Sequence, residues 1–202
     1  MSVTPRQYEQ IKARLKSGKG ETSPEFARSH RPAPAGVQVI IGVDPSLRGT
    51  GFGVIRFDKP HPVALGHGTI TCPRDWPHSL CLLKISETLR DICAQHHPTV
   101  CAIEGLFFAQ NLQTALIMGE ARGAALAALA GAGLEIYEIA PRKVKQAIVG
   151  YGAAQKSAVA KMVQRLLRLP EPPAPDAADA LAIALAHAQD TSRYALTAPK
   201  QI

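Results

Sequence analysis

The apolar run Val37-Gln-Val-Ile-Ile-Gly-Val43 ends abruptly in Asp44. A continuous, β-branched run of this kind predicts a buried strand. A carboxylate at the exit of such a strand is costly unless something pairs with it. The pattern occurs twice, because Thr99-Val-Cys-Ala-Ile103 runs straight into Glu104. A chain with two such strands is constrained: it must bring their ends to a common partner or strand two charges in apolar surroundings. A third element carries Asp176 and Asp179 in Asp176-Ala-Ala-Asp-Ala-Leu-Ala-Ile-Ala-Leu185. At a spacing of i and i+3 these two project from one face of a helix.

The segments between these acids give the order of elements. Glycines 49, 51 and 53 punctuate a turn into a second strand, Gly51 to Phe57, and Val63 to Thr71 predicts a third. Their close spacing implies an antiparallel meander. Pro77 to Gln95 has Leu80, Leu83, Leu89 and Ile92 at helical spacing. Thr99 to Phe107 predicts a fourth strand and Leu134 to Ile139 a fifth, separated by a long helix, Asn111 to Ala132, that is rich in small residues. Two shorter helices, near 142–149 and 155–169, precede the Pro-rich link 170–175 and a last helix from Asp176 to about Ala188. A βββαβαβα-like order with three meandering strands predicts an α/β fold with a mixed five-stranded sheet and helices on both faces. The first strand is expected to be central, with its C-terminal end beside that of the fourth.

If the last helix packs over those two strand ends, Asp44, Glu104, Asp176 and Asp179 converge. Four bare anions in one place repel strongly. Two Mg²⁺ ions would cancel that charge, and hard oxygen ligands favour Mg²⁺ or Mn²⁺. Two ions held this way activate an attacking water and stabilise a leaving oxygen in phosphodiester hydrolysis. Each acid also has a simpler role open to it. Asp176 and Asp179 suit the start of a helix, Asp44-Pro45 is a strand-to-turn signal, and Glu104 can pair with an arginine. The coincidence of all four with the strand order favours a metal site. His187 continues the acid-bearing helix face, where it either tunes the site or simply packs.

Composition sets the outer bounds. The chain has 202 residues, is 46% hydrophobic and carries a formal net charge of +7. That length supports one domain with a proper core, and the charge suits a polyanionic partner. Residues 1–36 hold seven Lys/Arg against three Glu, so +4 of the charge lies there. With Gly, Ser and Pro breaking the pattern around a short basic helical stretch at 5–16, this region is expected to be a flexible arm. The folded domain is expected over 37–190 and a tail over 191–202. No apolar run is long enough for a membrane span and no signal-peptide core opens the chain, so a cytoplasmic location is expected. Cys72, Cys81, Cys93 and Cys101 then read as reduced thiols, and no Cys-x-x-Cys pair supports structural zinc.

Six stretches together carry a family resemblance. They are Ile41-Gly-Val-Asp-Pro-Ser-Leu-Arg-Gly-Thr-Gly-Phe-Gly-Val-Ile55, Ala102-Ile-Glu-Gly-Leu-Phe-Phe-Ala-Gln-Asn111, Gly119-Glu-Ala-Arg-Gly123, Val144-Lys-Gln-Ala-Ile-Val-Gly150, Gln155-Lys-Ser157 and Asp176-Ala-Ala-Asp-Ala-Leu-Ala-Ile-Ala184. In this order the chain resembles the RuvC family of Holliday junction resolvases, which have a ribonuclease-H-like fold. The resemblance implies that Asp44, Glu104, Asp176 and Asp179 are the metal-binding catalytic acids. It implies that Lys145 and Lys156 are basic residues at the active site that contact DNA, with Arg142 an expected DNA contact beside them. It places Phe107 where an aromatic stacks into the opened junction. It further implies a homodimer that nicks two opposed strands of a four-way junction symmetrically in recombination and repair, working with a junction-binding protein and a hexameric branch-migration motor.

Some of this can be weighed on the residues themselves. Phe107 and Phe108 are adjacent at a strand end and should point to opposite faces, one inward and one free to stack on a base. Gly119 and Gly123 make one face of the long helix small, which suits either a two-fold interface or packing on the protein's own sheet. Ser46 and Gly105 depart from the family's common residues beside Asp44 and Glu104, and the basic N-terminal arm is unusual for the family. Few basic residues lie in 190–202, so two readings of the arm stand: a plain extension, or a basic DNA anchor moved there from the tail. A different class, the sugar-kinase or actin-like phosphotransferases, shares an Asp-led, Gly/Thr-rich hairpin like 44–53. That fold needs a second domain and a second phosphate loop, which this sequence lacks.

Overall fold

The computed structural model describes residues 38–57, 61–105, 111–192 and 200–202. The expected basic arm, 1–36, and the expected stacking aromatics Phe107 and Phe108 lie outside the described residues. The elements in chain order are β1 (Gln38–Asp44), β2 (Gly49–Phe57), β3 (Val63–Thr71), α1 (His78–His96), β4 (Val100–Glu104), α2 (Leu112–Gly131), β5 (Glu135–Ile139), α3 (Pro141–Val149), α4 (Lys156–Leu167), α5 (Pro175–Ser192) and β6 (Lys200–Gln201).

The strands form one sheet in the order β3-β2-β1-β4-β5-β6. The first three are the antiparallel meander, β1 and β4 run parallel, and so do β4 and β5. The expected five strands are joined by a sixth: Glu138 and Tyr137 pair with Lys200 and Gln201, so residues read as a tail add an antiparallel edge strand.

Period-2 alternation sorts the sheet's side chains onto two faces. Ile40, Ile55, Val100 and Ala102 pack with α3, α4 and α5 in one core cluster. Ile41, Val43, Val54, Cys101 and Ile103 pack with α1 and α2 in the other. By the same alternation Gly42, Asp44 and Glu104 belong to the face under α5.

The glycines of that face have a role beyond turn-making. A Cβ on Gly42 would overlap the Ala180 carbonyl oxygen of α5, and one on Gly51 would overlap the carbonyl of Asp176. One on Gly53 would lie 2.7 Å from Leu181 Cδ2. Gly51 and Gly53 therefore sit within β2 as a floor on which the helix backbone rests directly. The turn between β1 and β2 is closed instead by Thr50. This fully buried hydroxyl donates to the Ser46 carbonyl (2.6 Å) and accepts from the Ser46 amide (3.2 Å). Among described non-glycine residues only His97 and Arg168 have positive φ, so Ser46 occupies ordinary backbone and fits the turn without strain.

Candidate active site

The parallel register of β1 on β4 runs to Val43 opposite Ile103. One step further brings Asp44 and Glu104 side by side at the strand exits. Their carboxyls are hydrogen-bonded to each other, and burial together with the neighbouring Glu104 charge pushes the Asp44 pKa up to about 8. Glu104 is raised as well, with burial the main cause; the hydrogen bond from Asp44 and the charges of Lys156 and Lys145 oppose the rise. The pair therefore shares a proton, Asp44 donating and Glu104 accepting.

The glycine floor sets the other two acids. Asp44 pairs across the sheet with Gly51, and Asp176 lies directly over Gly51, with its Oδ2 3.1 Å from where a Cβ of Gly49 would stand. Asp176 occupies the first turn of α5, where the helix dipole favours an acid. One turn on, Asp179 is close enough to raise the pKa of both Asp44 and Glu104. It accepts a hydrogen bond from Lys156 Nζ at 2.6 Å. Lys156 is the first residue of α4; that hydrogen bond is the largest cause raising its pKa.

The donor set fits divalent cations of the hard kind: half-buried carboxylate oxygens, of which Asp44 and Glu104 have their proton affinity raised by burial first and by neighbouring acids second. Among the described residues no three His, Cys, Asp or Glu side chains form a finished metal cage. Three of the acids instead lie in two pairs, Asp44 with Glu104 and Asp179 with the ammonium of Lys156. A bound cation would take over the work now done by a shared proton and an ammonium group.

The remaining expected residues are placed as follows. Lys145 acts on Glu104 from α3. Arg142 is exposed at the start of that helix, its stem lying against Gly152. His187 is not part of the site. It lies two turns beyond Asp179, about 12 Å along α5, buried with its ring centroid 4.9 Å from that of Tyr137. Gly119 and Gly123 face open space: among the described residues nothing comes within 4 Å of where a Cβ would stand on either, so they do not pack on the protein's own sheet.

Comparison with known proteins identifies the family. The family model for crossover junction endodeoxyribonuclease RuvC matches residues 40–187. The chain belongs to the RuvC family. Among curated RuvC proteins, that of Vibrio cholerae is 47% identical over 152 residues, covering 75% of this chain and 87% of its own. That of Akkermansia muciniphila is 45% identical over 148 residues, covering 73% and 89%. A structure of Thermus thermophilus RuvC in complex with a Holliday junction substrate superposes with a TM-score of 0.76 at 32% identity, covering 82% of this chain and 99% of that one. The yeast mitochondrial Holliday junction resolvase Ydc2, at 10% identity and a TM-score of 0.52, shares the fold. Membership makes this chain a nuclease of a metal-dependent family, and it sets aside the phosphotransferase alternative. The matched span contains all four acids, both lysines and Arg142.

One residue of the RuvC pattern was legible only as part of a motif. Arg122, within Gly119-Glu-Ala-Arg-Gly123, is buried and reaches the backbone of Glu104. An arginine flanked by small residues on an otherwise apolar helix was the signal for it.

Proposed function

We propose that this chain resolves four-way Holliday junctions as a homodimer, nicking two opposed strands symmetrically during recombination and repair. Each site hydrolyses one phosphodiester with two Mg²⁺ ions, for which Mn²⁺ can substitute. The observation that carries this is the pairing of Asp44 and Glu104 at the strand exits, with Asp179 of α5 close enough to act on both, Lys156 bound to Asp179, and Asp176 over the adjoining Gly49 and Gly51. A substrate complex of a RuvC relative 32% identical to this chain supports the choice of junction DNA.

Asp44, Glu104, Asp176 and Asp179 would hold the cations, with Asp44 central because it borders both Glu104 and Asp179 of α5. Bound there, divalent ions supply Lewis-acid activation and neutralise charge on the phosphate. The chain's own residues do the rest. Lys156 keeps most of its side chain in solvent, 73% exposed, so it can turn toward a phosphate while bordering Asp179. Lys145 stands on the Glu104 side, and the two lysines offset charge that develops on the scissile group. Arg142, Lys145 and Lys156 contact the DNA backbone without reading sequence. Phe107 stacks on a base at the opened crossover, and the basic arm 1–36 adds a diffuse DNA anchor ahead of the nuclease domain.

An exposed stripe on α2 supports the dimer. Leu112 and Leu116 are 76% and 60% exposed, and Gly119 and Gly123 continue their face. Small residues there allow close approach of a second copy around a two-fold axis. A four-way-junction-binding protein and a hexameric branch-migration motor are the expected partners. Among the described residues no helix is long and apolar enough to cross a membrane, which is compatible with action on DNA in the cytoplasm.

Incubating the protein with mobile and immobile synthetic four-way junctions and Mg²⁺ tests the proposal. Paired nicks at symmetric positions are expected. Equal cutting of linear duplex, or unpaired nicks only, would refute it.

A further inference from the structure

We propose that Arg122 is a positioning residue that fixes Glu104 as a cation ligand from the opposite face of the sheet; this rests on the metal-nuclease reading above. The guanidinium is buried, 8% exposed, which is costly unless its donors find strong acceptors. It has two. One arm donates to the main-chain carbonyl of Glu104, and the other donates to Glu138 Oε2 at 2.5 Å. Glu138 stands on β5 opposite Ile103. Ile103 packs with α1 and α2, so the arginine grips the strand from that side. The Glu104 side chain leaves on the other side, toward Asp44.

Two further features complete the latch. The amide of Gly105 donates to the Ile139 carbonyl at 3.0 Å, so the peptide after Glu104 is held by β5 while its carbonyl is held by Arg122. Gly105 also leaves room for Glu138, since a Cβ there would lie 3.1 Å from Glu138 Cγ. The glycine beside Glu104 thus has a local use. The Arg122–Glu138 pair is internally neutral, so it orients Glu104 without adding to the charge the cations must balance. Partners that orient a ligand in this way typically set metal affinity by about 10–100-fold.

Mn²⁺ binding, followed by the electron paramagnetic resonance signal of the free ion, is the direct readout. Wild-type protein is expected to bind Mn²⁺. Arg122→Met is expected to weaken that binding about tenfold and to raise the Mn²⁺ concentration for half-maximal junction cleavage to match. Junction affinity without divalent ions should be unchanged. Arg122→Lys, which keeps one donor, should recover part of the loss. Should Arg122→Met not fold, Glu138→Gln keeps the shape, removes only the charge, and should shift Mn²⁺ binding in the same direction by a few-fold. Folded variants that bind Mn²⁺ as wild type does would overturn the positioning role while leaving the nuclease reading intact. A wild-type protein with no Mn²⁺ site would overturn both.

Discussion

The two faces of the sheet are built on opposite principles. Under α1 and α2, β1 and its neighbours present Ile41, Val43, Val54 and Ile103, and the helices stand off at ordinary side-chain distance. Under α5 the same strands present Gly42, Gly51 and Gly53, and the helix backbone rests on the sheet itself. The bulky face holds the molecule together by buried apolar area. The bare face gives up such area near the strand exits and gains position, because a helix on a glycine floor has little freedom to slide. The acids stand where the floor ends, so the α5 face, which buries its own core through Ile40, Ile55 and Val100, adds helix position to packing at the strand exits.

The sharpest way to break this contrast is Asp44→Asn. Cleavage should fall by more than about 100-fold, since a residue bordering both Glu104 and Asp179 is lost. The metal-free protein should meanwhile melt about 2 °C higher, because burial and the Glu104 charge oppose the carboxylate. Quantitative nicking assays and calorimetry check the two halves, and normal cleavage would remove Asp44 from the site.

Next in size is a matched pair of core changes. Gly51→Ala drives a methyl into the Asp176 carbonyl and should destabilise by about 3 kcal/mol, with Mn²⁺ affinity falling too. Ile41→Val on the opposite face should cost only about 1 kcal/mol and leave Mn²⁺ affinity alone. Urea unfolding and metal titration of both variants test the division of labour. Equal effects of the two on metal binding would abolish it.

A smaller effect is expected from Lys156→Met. An ion pair with so exposed a lysine contributes little to folding, within about 1 kcal/mol. Cleavage at saturating Mg²⁺ should still drop about tenfold as the charge beside the phosphate disappears. A variant that loses stability but not rate would make Lys156 a structural brace.

The smallest effect concerns His187, on the α5 face but away from the acids. Burial lowers its pKa, with Asp190 opposing. The folded state therefore prefers the neutral ring. Its contribution is complete above the ordinary histidine value of 6.5 and is lost as pH falls below it. Urea midpoints measured between pH 8 and pH 5 should decline less steeply in His187→Gln than in wild type.

Strand order, the antiparallel meander and the siting of Asp44 beside Glu104 were readable from the chain because each depends on local pattern: β-branched runs, turn spacing and an acid at a run's end. The long helix is bounded at its start by Asn111, whose side chain accepts from the Thr114 amide at 2.8 Å. What stayed hidden depends on contacts between distant segments. Gly51 and Gly53 read equally well as turn residues or as a platform until α5 is in place. Arg122 and Glu138 are ordinary residues alone and become a latch only when β4, β5 and α2 meet. The edge strand at 200–201 is too short for any periodicity to show. His187 shared a helical face with the acids, yet a helix rises far enough in two turns to carry a residue out of a site.

That final two-residue strand has a practical side. It lies along β5, and beyond it the Ile202 amide donates to the Ile136 carbonyl at 3.0 Å. Without it β5 would offer an open ribbon of donors and acceptors, an invitation to self-association. Removing residues 200–202 should therefore show first as aggregation on storage, well before any change in chemistry.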